Sequence, residues 1–247
     1  MRKPSALRRV ALAAMLSLTL LGGALAVPQP ASAIIGGSAA GHLRGQVQIF
    51  VDVKYRCTGT LIAPNWVLTA RHCFDNFGGN VNNGFVVAGD RELFLGNIMR
   101  IAGIYKNPQY DAMLLNLWNN VPNANQLIVG YGLGLVPRNF NVAISGWGTT
   151  TRGGTTPADE LRICSMTVRN NSMHHPYVGA GNSAYELGNI GTGVIGAGDS
   201  GAGLYYDGRI FGIVIAGDEV NLAWALQINY IYDWIMDVSG IDQASVW

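Results

Sequence analysis

The chain has few charged residues and few cysteines for its length. Charged side chains make up 13% of the 247 residues, and the formal net charge is +1. A disordered chain needs low hydrophobicity and a high net charge, and a nucleic-acid-binding protein needs a basic field; this sequence has none of these. The scarcity of charge also excludes a coiled coil, whose heptads are rich in Glu, Lys and Arg.

Glycine, by contrast, is abundant, at 33 residues. Short runs rich in β-branched and aromatic residues, such as Trp66 to Thr69 and Arg209 to Ile215, alternate with turn residues, which is typical of a sandwich or barrel. Only the C-terminal part looks helical, because apolar residues recur every three or four positions from Ile228 to Val238, with Asn229 as a candidate N-cap. We predict an all-β protein with one C-terminal α-helix.

A single long apolar run lies near the N-terminus, between residues 10 and 27. Four basic residues precede it, and Pro28-Gln29-Pro30 and Ala31-Ser32-Ala33 follow it. This order is that of a secretory signal peptide, and the glycines and prolines make the run a poor membrane anchor. We predict a signal peptide over residues 1–33, cleaved after Ala33. Cleavage after Ala26 is the alternative, and it would leave a short propeptide from Val27 to Ala33.

Removal of this leader reverses the sign of the charge. The leader holds four of the 16 basic residues and none of the 15 acidic ones, so the remaining chain carries a net charge of −3. The product is predicted to be secreted into an oxidising compartment, where disulfides persist. Cysteines occur at Cys57, Cys73 and Cys164. A Cys57–Cys73 bridge would fasten the segment around His72 to a neighbouring strand and leave Cys164 as a buried thiol or for an intermolecular bridge.

Three polar residues stand out beside apolar segments. His72 ends the apolar segment from Leu61, Asp111 opens another, and Ser200 lies between glycines. A serine hydroxyl is a weak nucleophile that needs an adjacent base, and a carboxylate can hold a histidine in the tautomer that accepts a proton. Taken singly, each residue also has another explanation. His72 fits a structural histidine beside a disulfide, Asp111 a surface cap, and Ser200 a turn.

Five short blocks stand out from residue 34 almost to the C-terminus. They are Ile34-Ile35-Gly36-Gly37, Thr69-Ala70-Arg71-His72-Cys73, Asp111-Ala112-Met113-Leu114-Leu115, Gly146-Trp147-Gly148 and Gly198-Asp199-Ser200-Gly201. Together, in this order and near this spacing, they resemble the signature of the chymotrypsin/trypsin family of serine peptidases, of a secreted bacterial type. The resemblance implies two antiparallel six-stranded β-barrels, over residues 34–125 and 126–247, with the C-terminal helix in the second part.

The resemblance implies a serine endopeptidase that uses no cofactor and no metal. Ser200 would attack the scissile carbonyl, His72 would take its proton, and Asp111 would orient His72. The backbone N–H groups of Gly198 and Ser200 would form the oxyanion hole. The implied partners are protein or peptide substrates and protein protease inhibitors. The resemblance implies no binding to nucleic acid or to a membrane, and it implies a monomer.

A second implied role concerns the N-terminus of the mature chain. In the family, a freed N-terminal ammonium pairs with the acid that precedes the serine, and here these residues are Ile34 and Asp199. Because Ala33 directly precedes Ile34, removal of the signal peptide would itself release this terminus. We therefore expect an enzyme that is active on export.

The sequence departs from the family pattern around the substrate cleft. Ile215 and Ala216 stand where the family commonly has Ser-Trp. That serine usually supports the triad acid, and Ile215 has no side-chain hydrogen-bonding group. A protease-fold homologue that is catalytically weak or inactive and acts as a secreted binding protein is therefore the alternative function.

The same resemblance predicts the specificity pocket. Val194 falls where trypsin-like members carry an aspartate, and the rest of the pocket is predicted from Ala216, Gly217 and Ala223. An apolar floor would strand the charge of Lys or Arg. We predict cleavage after small or medium apolar residues.

Two other enzyme classes fit the sequence poorly. An α/β-hydrolase needs G-x-S-x-G and the order Ser, Asp, His, but Ala202 interrupts the motif and the order here is His, Asp, Ser. A metal site at His174-His175 is disfavoured because neighbouring side chains on an extended segment point apart.

Overall fold

The computed structural model describes residues 34–78, 80–124, 130–132 and 134–241; the predicted signal peptide lies outside the described residues. Strands dominate the described part of the chain. The strands are β1 Ser38–Ala39, β2 Gln46–Val51, β3 Lys54–Ala63, β4 Trp66–Thr69, β5 Gly84–Ala88, β6 Asn97–Lys106, β7 Met113–Leu117, β8 Asn141–Gly146, β9 Arg162–Met173, β10 Ala184–Asn189, β11 Gly203–Tyr206, β12 Arg209–Gly217 and β13 Leu222–Gln227. The helices are α1 His72–Asp75 and α2 Tyr232–Ser239, with 3₁₀ turns at Val81–Asn83 and Ile228–Tyr230.

The first six-stranded barrel closes in the antiparallel order β2-β3-β4-β7-β6-β5. Alternation in β2 predicts a half-buried strand, yet every residue of β2 is buried. The reason is that its polar side chains face protein groups. Gln48 is fully buried, donates to Glu92 O at 2.8 Å and accepts from Phe94 N at 2.9 Å, and Gln46 donates to the Ser145 hydroxyl in the second barrel.

The second barrel closes in the order β8-β9-β10-β13-β12-β11, because β8 pairs with both β9 and β11. The short strand β1 adds to β9, with Ser38 opposite Ile163. The segment that follows Ile34 therefore belongs structurally to the second barrel. The two antiparallel six-stranded barrels and the C-terminal helix confirm the predicted fold class.

Helix α2 packs its apolar face inward. Ile231 and Ile235 are fully buried in the same apolar cluster as the first barrel's core. The helix begins later than predicted, because Asn229 lies in the preceding 3₁₀ turn and Ile231 occupies the N-cap position without a side-chain bond. The prediction of Asn229 as N-cap was therefore wrong. The helix ends at Gly240, whose φ of 67° is the left-handed conformation that glycine adopts freely.

The cysteines are arranged as predicted. Cys57 in β3 and Cys73 in α1 form a disulfide with a Cα–Cα distance of 6.0 Å. This bond fastens the start of α1, and hence His72, to the wall of the first barrel. Cys164 is a free thiol in β9, and burial raises its pKa well above the usual range.

Within the described residues, no helix is both long enough and apolar enough to cross a membrane.

Candidate active site

The first barrel brings His72 and Asp111 together. The antiparallel register of β4 and β7 pairs Thr69 with Met113, so the residues just after Thr69 meet those just before Met113. His72 Nδ1 lies 2.6 Å from Asp111 Oδ2, and the His72 backbone N–H donates to Oδ1 at 2.9 Å. Because Asp111 is only 8% exposed and both its oxygens bond His72, it fixes the ring with Nδ1 as the donor and Nε2 as the acceptor.

The loop before β11 places Ser200 between the two barrels. Its carbonyl accepts from Thr58 N in the first barrel at 3.1 Å, and the N–H of Gly201 donates to Val214 O in the second at 2.7 Å. Gly201 has φ +81°, and a Cβ there would lie 2.1 Å from Thr69 Oγ1 and 2.3 Å from Thr58 O. Only glycine fits at position 201 without a clash, which explains the residue that follows Ser200.

The Ser200 side chain bonds the second barrel. Ser200 Oγ donates to Ile215 O at 3.5 Å, and within the described residues it makes no hydrogen bond to His72. Catalytic hydrogen bonds are often long or unformed without substrate, and a rotation about χ1 redirects a serine hydroxyl. The Ile215 side chain is buried and has no hydrogen-bonding group, and among the described residues the Asp111 carboxylate bonds only His72.

Two backbone N–H groups beside Ser200 are available to an anion. In the described part of the structure the N–H groups of Gly198 and Ser200 donate no hydrogen bond. The Gly198 carbonyl accepts from the Tyr55 hydroxyl at 2.7 Å and from Thr58 Oγ1 at 3.1 Å. These two bonds hold the carbonyl, and Gly198 itself has φ +98°, a conformation that glycine adopts freely.

Asp199 is a fully buried carboxyl group behind this loop. It accepts from Gly148 N at 2.9 Å and Gly196 N at 2.8 Å, and no cation pairs with it among the described residues. Burial raises its pKa from the usual 3.8 to about 7. A Cβ on Gly146 or Gly148 would lie 2.3 or 2.4 Å from an Asp199 oxygen, so both glycines of the Gly-Trp-Gly block make room for this carboxylate.

Ile34 is fully buried in the apolar cluster of the second barrel. The next residue, Ile35, pairs with Val194, whose N–H donates to Ile35 O at 3.0 Å. In the full-length chain the Ile34 nitrogen is an amide, and it makes no bond with Asp199 in the described structure. The chain therefore holds Asp199 without the counter-charge that the sequence predicts for the processed form.

This unpaired carboxyl group predicts a pH-dependent stability for the unprocessed chain. Between pH about 4 and 7 the unfolded chain has released this proton while buried Asp199 retains it, so its contribution to the free energy of unfolding falls as the pH rises. An Asp199→Asn variant does not titrate there. Thermal unfolding of the two unprocessed proteins should show the variant gaining stability relative to the parent from pH 4 to 7. A difference in Tm that stays constant with pH would contradict the raised pKa.

A cavity of about 240 Å³ adjoins Ser200. Its walls include Ala216 and Gly217, as the sequence predicts, and also Ile195 and Glu219. The other two predicted pocket residues lie elsewhere: Val194 and Ala223 are buried in the barrel core, 3% and 0% exposed, and do not line this cavity.

Ile195 and Glu219 give this cavity its shape and charge. A Cβ on Gly217 would lie 2.7 Å from Ile195 Cγ1, so the isoleucine side chain packs directly against Gly217 on the opposite wall. Glu219 Oε2 accepts from Gly153 N at 2.7 Å, which holds an acidic group at this site. Sequence reasoning missed both residues.

Comparison with known proteins agrees with this architecture. The sequence matches the trypsin family model over residues 34–235, and the chain belongs to the trypsin family of serine peptidases. It is 27% identical over 239 residues to a trypsin of Phaedon cochleariae, covering 84% of this chain and 89% of that protein. Brachyurin of Leptuca pugilator is 28% identical over 228 residues, covering 79% and 93%. The solved structure of human heparin binding protein shares the fold, with a TM-score of 0.70 at 22% identity, covering 85% of this chain and 98% of that one.

Proposed function

We propose that this protein is a secreted serine endopeptidase that hydrolyses peptide bonds through an acyl-enzyme. The observation that carries the proposal is the Asp111–His72 pair, with its 2.6 Å contact, beside a glycine-flanked Ser200 and two unbonded backbone N–H groups. An acceptor nitrogen, a hydroxyl and an anion site in one cleft are the groups that acyl transfer needs.

In this mechanism, Ser200 Oγ attacks the carbonyl carbon and its proton passes to His72 Nε2. Asp111 stabilises the imidazolium, and the N–H groups of Gly198 and Ser200 bind the oxyanion. His72 returns the proton to the leaving amine as the C–N bond breaks. Water then attacks the acyl-enzyme, again giving its proton to His72, and Ser200 recovers the proton as the acid product leaves.

Release of Ile34 as a free amino terminus activates the enzyme in this proposal. The buried, unpaired Asp199 supports it, because an ammonium reaching this carboxylate would neutralise a charge that burial otherwise disfavours. Signal cleavage after Ala33 supplies that terminus on secretion. A propeptide from Val27 to Ala33 is the competing case. The active form is a monomer that acts on proteins or peptides and is open to protein protease inhibitors.

A second candidate function is a secreted binding protein on the same scaffold. The observation that favours it is the hydrogen bond of Ser200 Oγ to Ile215 O instead of to His72. Ile215 also offers Asp111 no side-chain support. In this case the cleft would bind peptide without turnover.

Cleavage-site profiling on a denatured protein mixture tests the endopeptidase and its specificity together. We expect cuts after small and medium apolar residues such as Ala, Val and Leu, because the side chains of Ile195 and Ala216 give the cavity beside Ser200 apolar walls. Shortening the wall with Ile195→Ala should shift the preference towards larger apolar residues. A dominant Lys or Arg before the cut would overturn the specificity, and the absence of any cut would favour the binding protein.

A further inference from the structure

His72 and Asp111 both lie beyond the end of the strand ladder that brings them together. The pairing of β4 with β7 ends at Thr69 and Met113, and His72 follows three residues after the first of these. Asp111 lies in the connection between β6 and β7, residues 107–112, which we call the Asp111 turn. The sheet therefore does not hold the two side chains against each other, and other contacts must do so.

The Asp111 turn is built on the side chain of Asn107, which is only 4% exposed. Asn107 Oδ1 accepts from the backbone N–H of Gln109 at 2.9 Å and of Tyr110 at 3.0 Å. The Asn107 N–H donates to Ala112 O at 2.9 Å, on the far side of Asp111. Because these bonds close the turn on both sides of the carboxylate, the position of Asn107 fixes the position of Asp111.

Arg71, directly before His72 in the chain, contacts this turn. Arg71 Nη1 donates to Asn107 O at 3.0 Å, and Arg71 Nε lies 3.3 Å from Asp75 Oδ2. The other oxygen of Asp75 lies 2.5 Å from Nζ of Lys106, the residue that precedes the turn. These three contacts, which we call the clasp, join α1 to the base of the Asp111 turn.

The clasp lies at the surface, where ion pairs add little to stability. The side chains of Arg71, Asp75 and Lys106 are 36%, 37% and 44% exposed. Exposed pairs of this kind contribute little to the free energy of unfolding. The Arg71 guanidinium is nevertheless bonded to two acceptors at once, which fixes its plane. The clasp is therefore better suited to setting the distance between α1 and the turn than to stabilising the fold.

We propose that Arg71 and Asp75 are positioning residues that hold His72 and Asp111 in contact. Among the described residues the Asp111 carboxylate bonds only His72, and Ile215 offers it no side-chain bond. The clasp supplies this support through the turn instead, and neither clasp residue contacts substrate in this role. The role deepens the proposed function and rests on it for turnover, although the His72–Asp111 contact itself needs no substrate.

Steady-state hydrolysis of a quenched peptide tests the role of Arg71. Arg71→Ala should lower kcat about tenfold with KM and Tm little changed, because a small misplacement of a catalytic group slows the reaction without weakening binding. Arg71→Lys should give an intermediate kcat, since it keeps the charge but loses the fork. The control is Arg100→Ala on β6, an exposed arginine that forms no ion pair among the described residues, and it should keep the parental kcat.

A double-variant cycle shows whether Arg71 and Asp75 act together. Asp75→Ala should also lower kcat, and the Arg71→Ala/Asp75→Ala protein should lose less than the product of the two single losses, because both changes open the same clasp. Losses that multiply would contradict a shared clasp. A fall in Tm with an unchanged kcat would show a purely structural role and overturn the proposal.

Proton NMR of Ser200→Ala observes the His72–Asp111 contact without turnover. The proton between His72 Nδ1 and Asp111 Oδ2 lies in a short bond of 2.6 Å, so it should give a strongly deshielded signal that exchanges slowly with water. Adding Arg71→Ala should broaden this signal and speed its exchange, whereas adding Arg100→Ala should not. A signal that is absent from Ser200→Ala, or that Arg71→Ala leaves unchanged, would overturn the positioning role.

The two measurements separate this role from the proposed function. A signal that depends on Arg71, in a parent protein that cleaves no peptide, would keep the positioning role and refute the endopeptidase. Cleavage by the parent with kcat and signal both unaffected by Arg71→Ala would refute the positioning role and keep the endopeptidase.

Discussion

Replacing Ser200 with alanine is expected to lower kcat on the best peptide substrate by about 10⁶-fold. The variant loses the nucleophile, while the main-chain bonds that hold this loop remain, because Thr58 N and Val214 O bond backbone atoms of residues 200 and 201. Steady-state hydrolysis of a quenched peptide measures the loss. The KM of residual turnover and the Tm should change little.

Two controls decide whether Ser200 and His72 act as one unit. His72→Ala should lower kcat about as much as Ser200→Ala, and the double variant should be no slower than either single variant, because groups that act together give non-additive losses.

An organophosphate probe should label the parent and not Ser200→Ala. A parent that takes no label, or a Ser200→Ala variant that retains activity, would favour the binding protein over the endopeptidase.

Extending the chain ahead of Ile34 is expected to lower kcat/KM on the order of 10³-fold, the scale of losing oxyanion-hole donors. The extension keeps the Ile34 nitrogen an amide, so the buried Asp199 lacks its counter-charge, and we expect the segment from Gly198 to Ser200 to be held less firmly than in the processed protein. The comparison uses a protein that begins at Ile34, made by cleaving a fusion, and one that begins at Val27. The concentration of active sites in both proteins is measured by titration with a covalent inhibitor, so that the two rates are compared per active site.

The matched control is Ile34→Val at the free terminus, which preserves the ammonium and an apolar side chain and should retain most of the activity. N-terminal sequencing of the secreted protein shows which form occurs naturally. Full activity in the protein that begins at Val27 would refute the ammonium–Asp199 pair. A secreted, inactive form that begins at Val27 would instead establish the propeptide.

Much of the fold could be predicted from local patterns, because strands such as β4, β11 and β13 are short apolar runs bounded by turn residues. The strand β10 was missed, since the alternation of apolar residues in Ala184–Asn189 is only one period long, at Tyr185 and Leu187, and is followed by Gly188 and Asn189. It is a strand because β9 and β13 pair with it on both sides. Such long-range pairing leaves no signal within the segment itself.

In the candidate site, too, some residues could be predicted from the sequence and others are set by long-range contacts. The sequence indicated His72, Asp111 and Ser200 because five blocks together resemble one family, whereas the local pattern around each residue alone leaves other roles open. Of the four predicted pocket residues, Ala216 and Gly217 line the cavity beside Ser200, whereas Val194 and Ala223 are buried in the barrel core. Ile195 lines the cavity instead of Val194, which pairs with Ile35 in a long-range bridge that the local sequence does not reveal.

In the proposed enzyme, the hydrogen bonds around Ser200 would make the position of one barrel against the other a determinant of turnover. His72 and Asp111 are carried by the first barrel and the Ser200 loop by the second, and this loop bonds both Thr58 and Val214. Neither half of the chain holds all three residues of the proposed triad. The buried bond from Gln46 to Ser145 joins the same two halves away from the cleft. A change there would alter the rate by shifting how the halves meet, without touching any group that contacts substrate.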